Sequence, residues 1–182
     1  MKNYKLSDET KTTPLGTVLR RIVATKTFIA GGLTINAGDV GGWIEKESNL
    51  SGNAWISGDA EVSGNALISG NAHVSDNARI FGNAKISDNA QVYGDALVAG
   101  NTEVYGDAEV YGTVKVYDNA KIYDNAKVYD NARVFGDVKV SDNARVYDIA
   151  RVFGNVKVYG TSKVAGSTIL SGNVMVYNKA LG

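Results

Sequence analysis

A six-residue hydrophobic repeat dominates this sequence and limits the folds open to it. From Leu50 to Val176 every sixth residue is Leu, Ile or Val, with no insertion. A period of six fits neither an α-helix, which repeats about every 3.6 residues, nor a coiled coil, at about 3.5. It is typical of a hexapeptide solenoid, in which the chain winds into stacked coils.

The residues around each aliphatic position predict one short strand and one corner per repeat. In Lys127-Val128-Tyr129 the valine should point inward and its two neighbours outward. Pairs such as Gly94-Asp95 and Asp124-Asn125 tolerate the positive φ angle of a sharp corner, and the alanine that follows fits inside it. Because one repeat buries too little surface to be stable, we expect parallel coils stacked around a continuous aliphatic core.

This pattern resembles the hexapeptide-repeat left-handed β-helix superfamily, in which three hexapeptides form one triangular coil. A narrower likeness, to YdcK-like hexapeptide proteins, rests on residues 19–24 (LRRIVA), 37–44 (AGDVGGWI) and 52–56 (GNAWI). The resemblance implies an all-β, left-handed parallel β-helix of about 7 to 8 triangular coils with an N-terminal β cap. Some proteins of this group carry a transferase designation, so the resemblance also raises acyl transfer as an activity.

The first part of the chain lacks the six-residue register. Residues 1–43 are predicted to form the β cap and residues 44–182 the hexapeptide-repeat β-helix. Residues 17–28 are rich in β-branched side chains, and Gly31-Gly32 and Gly41-Gly42 read as turns, which favours a strand or hairpin lid. At the other end we expect the register to continue to Ala180.

Composition argues against several classes of function. The 19 Lys and Arg residues balance the 19 Asp and Glu residues, whereas a general polyanion binder has an excess of bases. No cysteine is present to form a disulfide, a thiolate zinc site or a nucleophile. No apolar run approaches the roughly 20 residues that cross a bilayer, and residues 1–11 have no signal-peptide core. We therefore expect a cytoplasmic protein without membrane contact, cofactor or metal.

An 18-residue coil has three outward faces, on which similar residues stack as ladders. Face 1 carries Trp55, His73, Gln91, Glu109, Lys127, Arg145 and Lys163 beside Ser57, Ser75, Tyr93, Tyr111, Tyr129, Tyr147 and Ala165. Face 2 carries Glu61, Arg79, Leu97, Lys115, Arg133, Arg151 and Ile169 beside Ser63, Phe81, Ala99, Tyr117, Phe135, Phe153 and Ser171. Face 3 carries Leu67, Lys85, Glu103, Lys121, Lys139, Lys157 and Met175 beside Ser69, Ser87, Tyr105, Tyr123, Ser141, Tyr159 and Tyr177.

Face 2 is the candidate self-association surface. Its apolar strip consists of Phe81, Leu97, Tyr117, Phe135, Phe153 and Ile169. Such a strip more often marks an interface than a solvated surface, so we expect a homo-oligomer, either a trimer or a dimer. In the alternative interpretation, Arg133 and Arg151 cover the phenyl rings. A tyrosine ladder on face 1 is a possible surface for another protein; it comprises Tyr93, Tyr111, Tyr129 and Tyr147.

Charge is distributed unevenly along the repeats. Residues 50–111 contain eight acids and two bases (net −6), whereas residues 112–164 contain nine bases and six acids (net +3). Basic residues interleaved with aromatic ones can bind single-stranded nucleic acid. We expect corner acids to pair with these bases, which disfavours nucleic acid as a partner; the acids are Asp118, Asp124, Asp130, Asp137, Asp142 and Asp148.

His73 is the single histidine and the one candidate catalytic residue. Acyltransferases of the superfamily typically use a histidine as general base in a cleft between subunits, and the resemblance transfers that role to His73. Here the residue occupies an outward slot of an unbroken repeat with no inserted loop, which favours an exposed, non-catalytic role. One histidine also cannot supply the multi-histidine zinc site of the carbonic-anhydrase branch.

The predicted function is therefore a non-catalytic structural or protein-binding rod that self-associates. The alternative is a hexapeptide-repeat acyltransferase that uses His73 at a subunit interface. Ice binding, a third class, depends on flat arrays of threonine, and the repeats contain only four: Thr102, Thr113, Thr161 and Thr168.

Overall fold

The computed structural model describes residues 2–182, which form β-strands, turns and one short 3-10 helix. The single helix in residues 2–182 has three residues, so no helix in this range could span a bilayer. Five strands precede the regular coils: β1 (Tyr4–Thr12), β2 (Val18–Ala24), β3 (Phe28–Ala30), β4 (Leu33–Ile35) and β5 (Val40–Ile44). The 3-10 helix (Glu47–Asn49) follows them.

Each hexapeptide then contributes a short strand centred on its aliphatic residue. The strands are β6 (Trp55–Ile56), β7 (Glu61–Val62), β8 (Leu67–Ile68), β9 (His73–Val74), β10 (Arg79–Ile80), β11 (Lys85–Ile86), β12 (Gln91–Gly94), β13 (Leu97–Val98), β14 (Glu103–Val104), β15 (Glu109–Gly112), β16 (Lys115–Asp118), β17 (Lys121–Ile122), β18 (Lys127–Val128), β19 (Arg133–Gly136), β20 (Lys139–Val140), β21 (Arg145–Val146), β22 (Arg151–Tyr159), β23 (Lys163–Val164), β24 (Ile169–Leu170), β25 (Asn173–Tyr177) and β26 (Ala180–Leu181).

These strands stack into the three predicted faces. Face 1 is the eight-stranded sheet β6-β9-β12-β15-β18-β21-β23-β26. Face 2 consists of β5, β7, β10, β13, β16, β19, β22 and β24, and face 3 of β8, β11, β14, β17, β20, β22 and β25. All pairings between the coils are parallel, as between Arg133 and Arg151, so the fold is a parallel β-solenoid of about eight coils. The all-β solenoid prediction is confirmed, whereas the left-handed winding stays an implication of the resemblance.

The core is a column of aliphatic side chains with small residues at the corners. Val74, Val128 and the corner residue Ala126 have no exposed surface. Burying one valine side chain stabilises a fold by roughly 1.5 kcal/mol or more. Backbone N–H groups of one coil donate to carbonyl groups of the next. The Tyr129 N–H, for example, donates to the Val146 carbonyl oxygen at 3.0 Å. Every repeat therefore gains both apolar burial and hydrogen bonds by stacking.

The corners combine a positive φ angle with polar ladders. Gly94 and Asp124 have φ angles of 74° and 59°, as their residue types predict. One corner carries asparagines whose amide groups donate to the next asparagine along the axis, as from Asn83 to Asn101 at 2.9 Å. That run ends where Asn119 donates to Asp137 at 3.0 Å, because a carboxylate has no hydrogen to pass on.

The N-terminal strands continue the sheet of face 2. Strand β2 pairs antiparallel with both β1 and β5, and β5 pairs in parallel with β7. Gly42 allows β5 to pack closely on residues 56–60 of the first coil. A Cβ atom at this position would lie 2.5 Å from a methyl group of Ile56 and 2.7 Å from the Ala60 carbonyl oxygen. The division of the chain at residues 43 and 44 stays a prediction, and β5 runs through it.

The last coil is one residue shorter than the others. Lys163 pairs with Ala180 and Val164 with Leu181, a step of 17 residues where the rest of the solenoid steps by 18. The expectation that the register continues to Ala180 is therefore wrong. With an 18-residue step the inward position would fall on Gly182, which has no side chain to bury, and Leu181 packs against the core in its place.

Candidate functional site

The apolar strip of face 2 forms a stacked aromatic ladder on the surface. The rings of Tyr117 and Phe135 are 4.9 Å apart and nearly parallel, at 7°, and those of Phe135 and Phe153 are 4.9 Å apart at 3°. Parallel stacking hides the ring faces against one another and leaves the ring edges to face outward. At the two ends of the strip, Phe81 is 37% exposed and Ile169 is 61% exposed.

In the part of the chain that the structure describes, no cation lies over a ring face of this ladder. In the described residues, the cations that lie over aromatic rings are Lys2, Lys11 and Arg21, and their partners are Tyr4 in β1 and Trp43 in β5. The guanidinium groups of Arg133 and Arg151 therefore do not stack on the phenyl rings, whereas cover of the ring edges by the arginine stems stays an alternative prediction. The phenyl edges remain partly exposed beside two guanidinium groups.

The charged side chains divide into paired and unpaired groups. Two ion pairs join neighbouring coils near the middle of the rod, Glu103–Lys121 at 2.6 Å and Glu109–Lys127 at 2.8 Å. Seven other bases lie in the second half and have no carboxylate oxygen within 4.0 Å in residues 2–182; they are Lys115, Arg133, Lys139, Arg145, Arg151, Lys157 and Lys163.

The prediction that corner acids neutralise these bases is wrong. The carboxylates of Asp118, Asp124, Asp130, Asp142 and Asp148 instead accept backbone N–H groups from the next coil, and Asp137 accepts from Asn119. The bond from Gly160 to Asp142, for example, is 2.7 Å long. A carboxylate at a positive-φ corner is directed along the rod axis, toward the next corner and away from the bases on the faces.

A shallow groove lies beside the aromatic ladder in the second half of face 2. Its volume is about 400 Å³, and Arg133 and Arg151 line it together with Ile149 and Ile169. Elsewhere in the repeats the corner position of Ile149 is occupied by polar residues, such as Asp95 and Asn131. The groove therefore combines uncompensated positive charge with exposed aliphatic surface.

Face 1 carries the predicted tyrosine ladder. The ring centroids of Tyr93 and Tyr111 are 4.8 Å apart, those of Tyr111 and Tyr129 are 5.0 Å apart, and those of Tyr129 and Tyr147 are 4.9 Å apart. Partial burial, reinforced by the nearby carboxylate of Glu109, raises the pKa of Tyr93 to about 12. The phenol of Tyr93 is therefore neutral throughout the physiological pH range, so it can donate a hydrogen bond.

His73 is buried, contrary to the expectation of an exposed surface residue. The hairpin β3–β4 lies over the start of face 1 and leaves His73 only 9% exposed and Trp55 2% exposed. Phe28 packs edge-on against Trp55, with ring centroids 5.7 Å apart, and the Gly31 N–H donates to the Asn71 carbonyl at 2.7 Å. Residues 28–35 lie outside the repeat and contain Gly31-Gly32, so the sequence did indicate a hairpin, though not its position.

The imidazole of His73 has one side-chain partner. Its Nε2 lies 2.9 Å from the Ser57 hydroxyl oxygen, and burial lowers the pKa of His73, with a smaller opposing effect from Asp76. The ring is therefore neutral at pH 7 and capable of accepting a proton. In residues 2–182 no three His, Asp or Glu side chains lie close enough together to share a metal ion.

The stacked coils, with parallel strands on each of three faces, define a parallel β-solenoid protein. Within that class, the family model described as the YdcK beta solenoid repeat matches residues 60–76 and 90–106. The chain is thus a β-solenoid with YdcK-like repeats, as the sequence resemblance predicts. No curated protein matches the chain.

Proposed function

We propose that this protein is a non-catalytic, protein-binding β-solenoid rod that self-associates through face 2. The observation that carries the proposal is the stacked ladder of Tyr117, Phe135 and Phe153, whose ring edges reach the surface beside the exposed ends Phe81 and Ile169. Removing contiguous apolar surface of this kind from water favours association with a partner.

The rod geometry suits a binding role, because it holds its surface groups at fixed spacing. Neighbouring coils are joined by backbone hydrogen bonds along all three faces, so outward side chains repeat at about 4.8 Å. A rigid surface loses little conformational entropy when it binds. In this proposal the tyrosine ladder of face 1 (Tyr93, Tyr111, Tyr129 and Tyr147) stays available for a protein partner while face 2 is covered.

The double substitution Phe135→Lys with Phe153→Lys tests the proposal. We expect it to reduce the oligomer mass measured by light scattering, because two lysines would have to be buried in the contact. The matched control is Tyr129→Lys with Tyr147→Lys on face 1, which should leave the mass unchanged. Circular dichroism on both variants verifies that they fold. A monomeric wild-type protein, or loss of the oligomer only in the face 1 control, would refute self-association through face 2.

A second candidate function is acyl transfer with His73 as general base at a subunit interface, and one observation favours it. The neutral imidazole lies 2.9 Å from a hydroxyl group, that of Ser57, and could accept a proton from an acceptor hydroxyl or amine placed there. The test is the wild-type protein with a panel of acyl-CoA donors, compared with His73→Ala. Turnover that vanishes in the variant would support the enzyme over the rod, whereas a wild-type protein without turnover would eliminate it.

A further inference from the structure

We infer that the partner on face 2 is a second copy of this chain in an antiparallel, two-fold arrangement, with the Tyr117 side chains of both copies at the symmetry axis. This inference rests on the proposed self-association and adds its geometry. A two-fold contact is self-complementary, because each residue meets the position related to it by the axis. The columns of face 2 can therefore be checked against that requirement.

The aromatic column of face 2 is nearly palindromic about Tyr117. In coil order it reads Ser63, Phe81, Ala99, Tyr117, Phe135, Phe153 and Ser171. An antiparallel pair centred on Tyr117 places serine opposite serine at both ends and Phe153 of one copy opposite Phe81 of the other. It also places the large Phe135 opposite the small Ala99, twice by symmetry. A parallel pair would instead place Phe135 opposite Phe135 and leave a gap between the two Ala99 side chains.

Charge points to the same arrangement. Arg133 lies one coil after the axis and Asp95 one coil before it, on the corner that adjoins face 2. Neither residue forms an ion pair in residues 2–182, and the antiparallel dimer brings them together twice. A parallel dimer would place the unpaired Arg133 and Arg151 side chains opposite their own copies, where like charges repel.

The turn between β1 and β2 also favours the antiparallel orientation. Residues 13–17 lie beside Phe81 at the start of face 2, where Thr13, Leu15 and Thr17 line a small cavity with that ring and leave it 37% exposed. Leu15 at its tip is 92% exposed. In a parallel dimer the two turns would meet each other and hold the faces apart. In the antiparallel dimer each turn faces the far end of the partner copy, where the column ends in the small Ser171.

Two like-charge contacts in this arrangement are relieved locally. The axis brings the two Lys115 side chains near each other, but Lys115 is exposed and its flexible stem allows the ammonium group to move into solvent. Arg79 faces Arg151 of the other copy, but the Glu61 carboxylate lies 3.7 Å from Arg79 and offsets its charge.

Cross-linking of single-cysteine variants tests the orientation, because the chain has no cysteine of its own. Faces packed against each other lie about 10 Å apart, too far for a disulfide, so the reagent is a short bis-maleimide with a span of roughly 8 to 10 Å. We expect Tyr117→Cys to cross-link with itself. Phe153→Cys alone should not, because two such residues lie about four coils, or roughly 19 Å, apart along the axis. A mixture of Phe153→Cys with Phe81→Cys should cross-link.

The controls separate failure of this inference from failure of the proposed self-association. Tyr129→Cys, on face 1, measures cross-linking by random collision and should give none. Self-linking of Phe153→Cys, or a trimer mass in light scattering, would overturn the antiparallel dimer while self-association stands. No links at any face 2 position together with a monomer mass would overturn both.

A charge exchange gives a second measurement that does not depend on cysteine chemistry. Arg133→Asp and Asp95→Arg should each weaken dimerisation by roughly ten-fold, since each loses two symmetric ion pairs. The double variant should recover most of the affinity, because the charges are only exchanged. A double variant weaker than either single one would show that these residues do not meet.

Discussion

The coils of residues 50–111 and those of residues 112–164 share one core and differ on their surfaces. In both halves the inward column is aliphatic and fully buried, as at Val74 and Val128. The outward residues of the first half sum to a charge of −6 and those of the second half to +3. The inward positions are therefore held by packing, whereas the outward positions are free to acquire a function.

The strands that precede the regular coils add to this difference. In the first half, N-terminal strands cover outward side chains of face 1, so that Trp55 and His73 are buried. The equivalent residues of the second half, Arg145 and Lys163, are exposed. The same backbone geometry thus carries a covered tryptophan and histidine at one end and an open basic surface toward the other.

The largest effect should follow from a charge placed in the shared core. Val74→Asp and Val128→Asp should each destabilise the fold by several kcal/mol, because each buries a carboxylate without a partner. If the core is equivalent in both halves, the two losses measured by thermal or denaturant unfolding should be similar.

The outward control is Lys139→Asp, at a position next to a core residue but exposed to solvent. It should change the unfolding midpoint little. An unchanged midpoint for either valine variant would show that the inward assignment of that column is wrong. A much smaller loss in one half would show that the two halves unfold independently.

The sequence was sufficient to predict the solenoid, because each hexapeptide repeats the same local requirement. Val128 must leave water, and the φ angle at Asp124 must be positive, so period and residue type determine strand, corner and face. The three face columns, and the stacking of Phe135 on Phe153, follow once the resemblance supplies three hexapeptides per coil. The end of the repeat is harder to predict. The 18-residue step places Gly182 at the inward position, but Leu181 occupies it because its side chain can fill the core above Val164.

The surroundings of the candidate sites depend on contacts distant in sequence. The burial of His73 comes from a hairpin about 40 residues earlier, and no local pattern around His73 indicates it. Proximity in sequence predicts that the corner acids pair with nearby bases. Their actual partners, such as the Gly160 amide for Asp142, lie 18 residues away along the chain but in the adjacent coil.

A smaller effect should follow from titration of His73. Burial lowers its pKa in the folded protein below its usual value of 6.5, so between these two values the unfolded chain binds more protons. Stability is therefore complete above pH 6.5 and falls as the pH drops through 6.5 toward the lowered pKa. The melting temperature of the wild-type protein should therefore decrease as the pH is lowered from 7.5 to 5.5.

His73→Gln isolates this contribution, because glutamine keeps a polar side chain without titrating near neutrality. The variant should lose most of the dependence in that pH range. Hydrogen exchange should show the acid effect in residues 28–35, which cover the ring, and not in the coils around Val128. Equal pH dependence in the wild-type protein and the variant would exclude His73 as the titrating group.

The smallest effects should come from the surface charges that distinguish the two halves. Glu103→Gln removes the ion pair with Lys121, and exposed pairs of this kind contribute roughly 0.2 to 1 kcal/mol. Lys139→Gln instead removes a base that is stacked between Lys121 and Lys157, so it should leave stability equal or slightly higher. Added salt screens both interactions and should bring the two variants closer to the wild-type unfolding free energy. If Lys139→Gln were the more destabilising change, the stacked bases would not repel one another, and the second half could not be described as an uncompensated basic surface.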